Sequence, residues 1–297
     1  MAAVDEAKLN SFLHKVVTDD AALALICSGP TAVPLEQNTI RLLDNISTGQ
    51  RGAVSAEYFL AMGYYVIFFH RTNTKLPFIR QVTSEDISSF AGTHFSAHQS
   101  GPNQQHATLH PDHRMLLFSF FSFHQYQAGL EIICTHAHRL MRSKLLIFLA
   151  AAVSDFTPSD VPLHKINSSV ADLSENLTIT LKPTPKVVQQ ITSSWAPTSM
   201  IVSFKLETDK SILKQKAIGA LEKYRCSAII ANHLPSIRSK MMLIWKKTTF
   251  PTLHCHQKGA EVNGNDDCFV FREIDVENGD IEEPMVNLLV QLHSAFL

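Results

Sequence analysis

The chain has 297 residues, 45% of them hydrophobic and 18% charged, with a formal net charge of −1. That is enough apolar material for one large α/β domain, and no global basic field is present to recruit nucleic acid or an anionic membrane. No stretch reaches the roughly 18 consecutive apolar residues of a membrane span, and the N-terminal MAAVDEAKLNSFLHKVV lacks the apolar core of a signal peptide. Five cysteines, Cys27, Cys134, Cys226, Cys255 and Cys268, are an odd number without framework spacing, which suggests reduced thiols in a cytoplasmic protein. In such a chain the sequons at Asn45, Asn167 and Asn176 are chance matches.

Short apolar runs alternate with amphipathic helical patterns, the arrangement of a mostly parallel sheet flanked by helices. The predicted strands are Ala22–Cys27, Tyr64–His70, Leu145–Leu149, Ile201–Phe204 and Ala228–Ala231, all apolar nearly throughout, as strands buried on both faces are. Between the first two, Ser47-Thr-Gly-Gln50 fits a capping box, with Ser47 as N-cap and Gln50 reaching back. The helix that follows places Ala53, Ala56, Phe59 and Leu60 on one face and stops at Gly63. The aromatic-rich Leu116–Phe123 reads as core or dimer surface. Asp209 caps a helix whose inner face is Leu213, Ala217, Ala220, Leu221 and Tyr224. Strands at Met241–Lys246 and Cys268–Arg272 precede a C-terminal helix from about Glu282 that buries Val286, Leu289, Val290 and Leu297. A polar loop near 96–113 and an insertion near 252–267 interrupt the rhythm, but neither is large enough for a domain, so residues 1–297 are expected to form one.

Three segments carry candidate chemistry. Ile26–Glu36 (ICSGPTAVPLE) ends the first strand, where open α/β sheets bind ligands. It holds one glycine where a dinucleotide fingerprint has three, so by itself it reads equally as a plain turn. Arg41–Ala53 (RLLDNISTGQRGA) offers a helix start whose N–H groups and dipole suit phosphate. Gly49 and Gly52 would let a ligand approach the backbone, Arg41 and Arg51 add charge, and Asn45 supplies an amide. Two solvated arginines at an ordinary helix start are the plain alternative. Leu149–Asp155 (LAAAVSD) places small residues at a strand end, followed by Asp155; a close strand–helix crossing explains the same run.

Taken in order, SGPTAVPLE, RLLDNISTGQRGA, LAAAVSDF, HKI, SFKLETD and AN resemble eukaryotic-type phosphopantothenoylcysteine synthetases over Ser28 to about His70 and Leu145 to about Leu234. The resemblance implies a Rossmann-like three-layer α/β sandwich and a homodimer with composite active sites. It implies ligation of L-cysteine to 4'-phosphopantothenate in coenzyme A biosynthesis, through an acyl-nucleotide formed from ATP or CTP with Mg2+. ATP is favoured by the eukaryotic character of the match. Carried over by motif, the nucleotide site falls on Gly29, Ser47, Gly49, Gly52, Phe204 and Asn232. The phosphopantothenate and acyl-nucleotide site falls on Asn45, Ala151, Ala152 and Asp155, with Arg41 reaching in from a partner subunit. Lys165 in HKI corresponds to the first lysine of a bacterial lysine-rich motif linked to the second step; Asn167 and Ser168 replace its neighbours.

One departure is Pro30, where the family usually has a second glycine; proline removes an N–H from the phosphate-facing loop. It keeps open an alternative, an inactive homologue serving in a coenzyme A assembly. A nicotinamide-dependent reductase is disfavoured because the glycine fingerprint is missing and His70-Arg71-Thr72 ends the second strand without an acidic residue. No metal site belonging to the protein is expected. Cys134-x-His136-x-His138 lies in a helical pattern whose alternate positions diverge by roughly 200°, and His254-Cys255-His256 lies in the insertion.

Overall fold

A computed structural model describes residues 4–79, 113–166, 177–250 and 268–297. The expected insertion at 252–267, the loop at 96–113 except His113, the residues Asn167, Ser168 and Asn176, and the His254-Cys255-His256 cluster lie outside the described residues.

Eight strands form one sheet in the order β5-β4-β1-β6-β9-β10-β11-β12. These are β1 (Leu23–Ser28), β4 (Tyr65–Arg71), β5 (Met115–Phe120), β6 (Leu145–Leu149), β9 (Met200–Glu207), β10 (Ala228–His233), β11 (Lys240–Lys246) and β12 (Phe269–Asp275). Neighbours from β5 to β10 pair in parallel, and β11 and β12 close the far edge antiparallel. The period of two along each strand divides the side chains between two cores. In β1, Leu23, Leu25 and Cys27 join α1 (Glu6–Thr18), α3 (Phe123–Met141) and α5 (Lys210–Tyr224) on one face. Ala24 and Ile26 join α2 (Gln50–Ala61) and α6 (Glu282–Phe296) on the other. A short helix, α4 (Val187–Gln190), leads into a π-turn at Ile191–Trp195. The result is the expected three-layer α/β sandwich.

The chain leaves β1 toward β4 and β5, then returns through α3 to β6 on the opposite side of β1. The strand order therefore reverses between β1 and β6, and a crevice opens at their carboxyl ends. Two hairpins flank it: β2 (Ala32–Pro34) with β3 (Leu42–Asp44), and β7 (Phe156–Pro158) with β8 (Leu181–Pro183).

Several local expectations are corrected. The capping box at Ser47 does not form: α2 begins at Gln50, and its N-cap is Gly49 in the left-handed region, with φ +78°. A backbone that turns left-handed at Gly49 moves the helix start past the reach of Ser47. Ser47 Oγ instead accepts from the Gly49 N–H at 3.3 Å, and Thr48 Oγ1 from the Gln50 N–H at 3.4 Å. Leu297 is exposed at the chain end rather than buried, while His293 takes a core place on α6. There His293 Nδ1 meets Tyr64 Oη at 2.8 Å and Nε2 meets the Ser143 carbonyl at 2.8 Å. Leu116–Phe123 is mainly core: Leu116, Phe118, Phe120 and Phe123 are buried, and Phe121 is partly exposed. On α3, Cys134 is buried, His136 turns to Asn10, and His138 turns to Ser199, so these three do not converge.

Candidate active site

The crevice is built from the carboxyl ends of five parallel strands. Beyond β1 and β6 the two chains keep pairing, with the Ala152 N–H donating to the Gly29 carbonyl at 2.9 Å and the Thr31 N–H to the Ala152 carbonyl at 3.0 Å. This ladder uses residues 29 and 31, so the N of residue 30 takes no part, and Pro30 fits without losing a ladder bond. Below it, Thr31, Ser154 and Thr184 form a buried hydroxyl chain. Thr31 Oγ1 lies 3.0 Å from Ser154 Oγ, and Thr184 Oγ1 donates to the Ser154 carbonyl at 2.6 Å. These bonds satisfy buried polar groups and hold the 150–155 loop against the end of β1.

The glycines of the helix start make room first for the chain's own atoms. A Cβ on Gly52 would lie 2.4 Å from Ser28 Oγ and 2.5 Å from Ser28 Cβ. On Gly49 and Gly29 it would meet Thr74 at 3.0 Å and 2.9 Å. Ser28 Oγ donates to the Gly49 carbonyl at 3.0 Å, and Thr74 Oγ1 to the Arg71 carbonyl at 2.7 Å. Ser28 and Thr74 thus lock the β1 end, the segment after β4 and the start of α2 into one unit. The first turn of α2 keeps N–H groups without intrahelical partners, together with the positive end of the dipole.

Arg51 does not supply charge there. It is largely buried on the α6 side, 3.0 Å from Glu282, and donates to the Ile237 carbonyl at 2.6 Å. Burial pulls its guanidinium below the ordinary value, opposed by Glu282. Two positions past the N-cap, the Arg51 side chain leaves the helix on the side that meets α6.

The other residues named from the sequence are placed as follows. Asn45 is half-buried after β3 and donates from Nδ2 to the Ala152 carbonyl at 3.0 Å. Ala151 and Ala152 are half-buried beside it. Asp155 is exposed and ion-paired with Lys186. Phe204 and Asn232 lie near the ends of neighbouring strands, where Ile230 opposes Phe204 and Asn232 opposes Leu206. Phe204 is half-buried, edge-on to Phe148 with centroids 5.0 Å apart. Asn232 is buried, and its Oδ1 has no partner among the described residues. Arg41 Nη1 binds Glu36 Oε1 at 2.6 Å and the Ile166 carbonyl at 3.1 Å within its own chain. Glu36 exposes no surface; burial pushes its carboxyl up, and donors from Arg41 and Ile166 outweigh this and hold it below its ordinary value. Lys165 is exposed next to Ile166. Ser28, Glu36, Arg71, Thr74, Thr184 and Lys186 were missed as site residues. Of these, Ser28 and Glu36 lie in the Ile26–Glu36 segment and Arg71 at the His70-Arg71-Thr72 strand end; the rest carry no local signal.

Among the described residues, no group of three or more His, Cys, Asp or Glu could hold a metal ion, and no helix is long and apolar enough to cross a membrane. Residues 124–260 match the family described as DNA/pantothenate metabolism flavoprotein, C-terminal domain. The chain is 33% identical to phosphopantothenate–cysteine ligase 2 of Oryza sativa subsp. japonica, over 92% of this chain and 81% of that one. It is 34% identical to phosphopantothenate–cysteine ligase of Mus musculus, over 93% and 87%. Its fold superposes on a Cab2 mutant solved in complex with phosphopantothenate-cysteine, with a TM-score of 0.73 and 29% identity over 98% of this chain and 92% of that one. With this extent of identity, and the same sheet, the chain belongs to the phosphopantothenate–cysteine ligase family.

Proposed function

We propose that the chain joins L-cysteine to (R)-4'-phosphopantothenate through an acyl-nucleotide, as a step of coenzyme A biosynthesis in the cytosol. The observation that carries the reading is the meeting of three segments at the β1–β6 crevice: the start of α2 at Gly49, the Asn45 loop and the loop after β6. A substrate carboxylate oxygen attacks the α-phosphorus of the nucleotide, and pyrophosphate leaves. The cysteine amine then attacks the acyl carbon, forming the amide and releasing nucleoside monophosphate.

The first turn of α2, with Gly29, Ser47, Gly49 and Gly52 around it, is suited to the phosphates. Phe204 offers a ring for the base, and Asn232 Oδ1, which has no partner among the described residues, offers a buried acceptor for a donor on it. Asn45 has a second amide proton for the acyl oxygen, Ala151 and Ala152 leave space beside it, and Asp155 and Lys165 supply opposite charges near the amine step. ATP is the expected nucleotide. Mg2+ neutralises the triphosphate and is held through phosphate and water, the usual mode for this ion. The whole chain acts as one domain, since strands from Leu23 to Asp275 share a sheet.

With phosphopantothenate labelled with oxygen-18 in its carboxylate, the nucleotide is expected to release pyrophosphate before cysteine is added, and the label to leave in the nucleoside monophosphate once the amide forms. Chelating Mg2+ should stop both, and running ATP beside CTP shows which is used. Label in inorganic phosphate would replace the acyl-nucleotide by an acyl-phosphate. Absence of any turnover would favour the inactive-subunit alternative.

We also propose a homodimer with composite sites. The hairpins are joined by the Gln37 N–H donating to the Pro162 carbonyl at 2.8 Å, and they expose Ile40, Leu43, Phe156, Leu163 and Leu181. Exposed apolar clusters of this kind mark association surfaces, and Arg41 stands among them with donors to spare. Mixing inactive Arg41→Ala and Asp155→Ala chains should restore activity, because one hybrid site regains both residues. No recovery in heterodimers verified by mass would place both residues in the same chain's site.

A further inference from the structure

Arg71 ends β4 with its side chain 92% buried, an uncommon place for a guanidinium. It faces the same side of the sheet as Phe69 and reaches under the β2–β3 hairpin. Nη2 lies 3.2 Å from Asp44 Oδ2, and Nη1 lies 3.4 Å from Asp44 Oδ1 and 3.3 Å from the Pro30 carbonyl. The ring of Phe121 covers it, with its centroid 4.1 Å from Cζ, and Nε has no partner among the described residues. Asp44 Oδ1 in turn accepts the backbone N–H of Asn45 at 2.9 Å.

We propose that Arg71 is the positioning residue of the acylation site, setting Asn45 through Asp44 and the β1 loop through the Pro30 carbonyl. This rests on the ligase reading. The physical case is that one rigid, planar cation bridges two segments that must keep register during reaction. Asn45 otherwise depends on a single side-chain bond to Ala152, on a hairpin whose strands are three residues long. The fork of Arg71 spans both Asp44 oxygens and the Pro30 carbonyl at once; a lysine, a point charge, cannot. Phe121 shields the guanidinium side of the pair from water, which strengthens it. A displacement of about 1 Å at a reacting group can cost on the order of 100-fold in rate.

The test compares Arg71→Lys, Asp44→Asn and the double variant with wild type in two measurements. The partly exposed Asp44 makes Asp44→Asn the variant least at risk of misfolding. In hydrogen exchange, backbone amides of 42–46 should exchange faster in each variant while those of β1 and β6 stay protected. In turnover, kcat should fall about 10- to 100-fold with the KM for nucleotide within about twofold, and the double variant should be no worse than the worse single one. Unchanged exchange at 42–46 overturns the proposal whatever the activity. So does turnover that falls only in step with Tm, or a nucleotide KM that rises in parallel. An inactive wild type with the expected exchange pattern would instead fail the ligase reading and leave the positioning intact.

Discussion

Asn45→Ala is expected to lower product formation by roughly 100- to 1000-fold, the usual cost of losing one donor to a developing oxyanion. Asn45 can be lost without unfolding the chain. It is half-buried in a loop, outside both cores, and its one side-chain bond to the Ala152 carbonyl contributes about 0.5–1.5 kcal/mol. Asp44 and Arg71 still hold the backbone at that point. The loss should therefore appear in single-turnover formation of the acyl-nucleotide, with the circular dichroism spectrum unchanged and nucleotide binding retained. Turnover near that of wild type would remove Asn45 from the mechanism.

Gly52→Ala is expected to be the most damaging small substitution in the site. The added methyl would lie 2.4 Å from Ser28 Oγ, 2.5 Å from Ser28 Cβ and 3.3 Å from Ser28 Cα. Ser28 is fully buried and tied to the Gly49 carbonyl, so it has nowhere to move. The start of α2 must then lift from β1, at a cost of about 1–3 kcal/mol for overpacking. The same movement takes its N–H groups away from the phosphates, so nucleotide KM should rise by about tenfold or more, the equivalent of about 1.4 kcal/mol. Adding Ser28→Gly removes the two closest clashes and should restore much of the stability and the nucleotide KM. If stability returns but KM does not, Gly52 is needed for the ligand's approach rather than for the helix–strand crossing.

Gly52 illustrates how far local reading extends. The motif containing it reads as a helix start, with the glycine as space for a ligand. In the fold Ser28 fills that space, because α2 crosses β1 within contact distance there. Arg51 was read as a phosphate-side charge for the same reason, since nothing near it in the chain announces Glu282. The two hairpins escaped because three-residue strands, one of them wholly exposed, carry no readable alternation. The start of α2 was misplaced because a left-handed glycine can serve as N-cap in place of a serine two residues earlier.

By itself the sequence determined seven of the eight strands of the main sheet, every one but β5, together with α2, α5 and α6 and the faces of α2 and α5. It also determined the motifs that identify the family. These follow from period, capping residues and turn residues, which act over a few positions of the chain. The tertiary structure alone decided that Arg71 and Asp44 stand behind Asn45, that Glu36 holds Arg41, and that Ser28 and Thr74 occupy the room left by the glycines. Those partners are brought together by the switch of strand order between β1 and β6, and a side chain's partner across such a crossing depends on where whole elements pack.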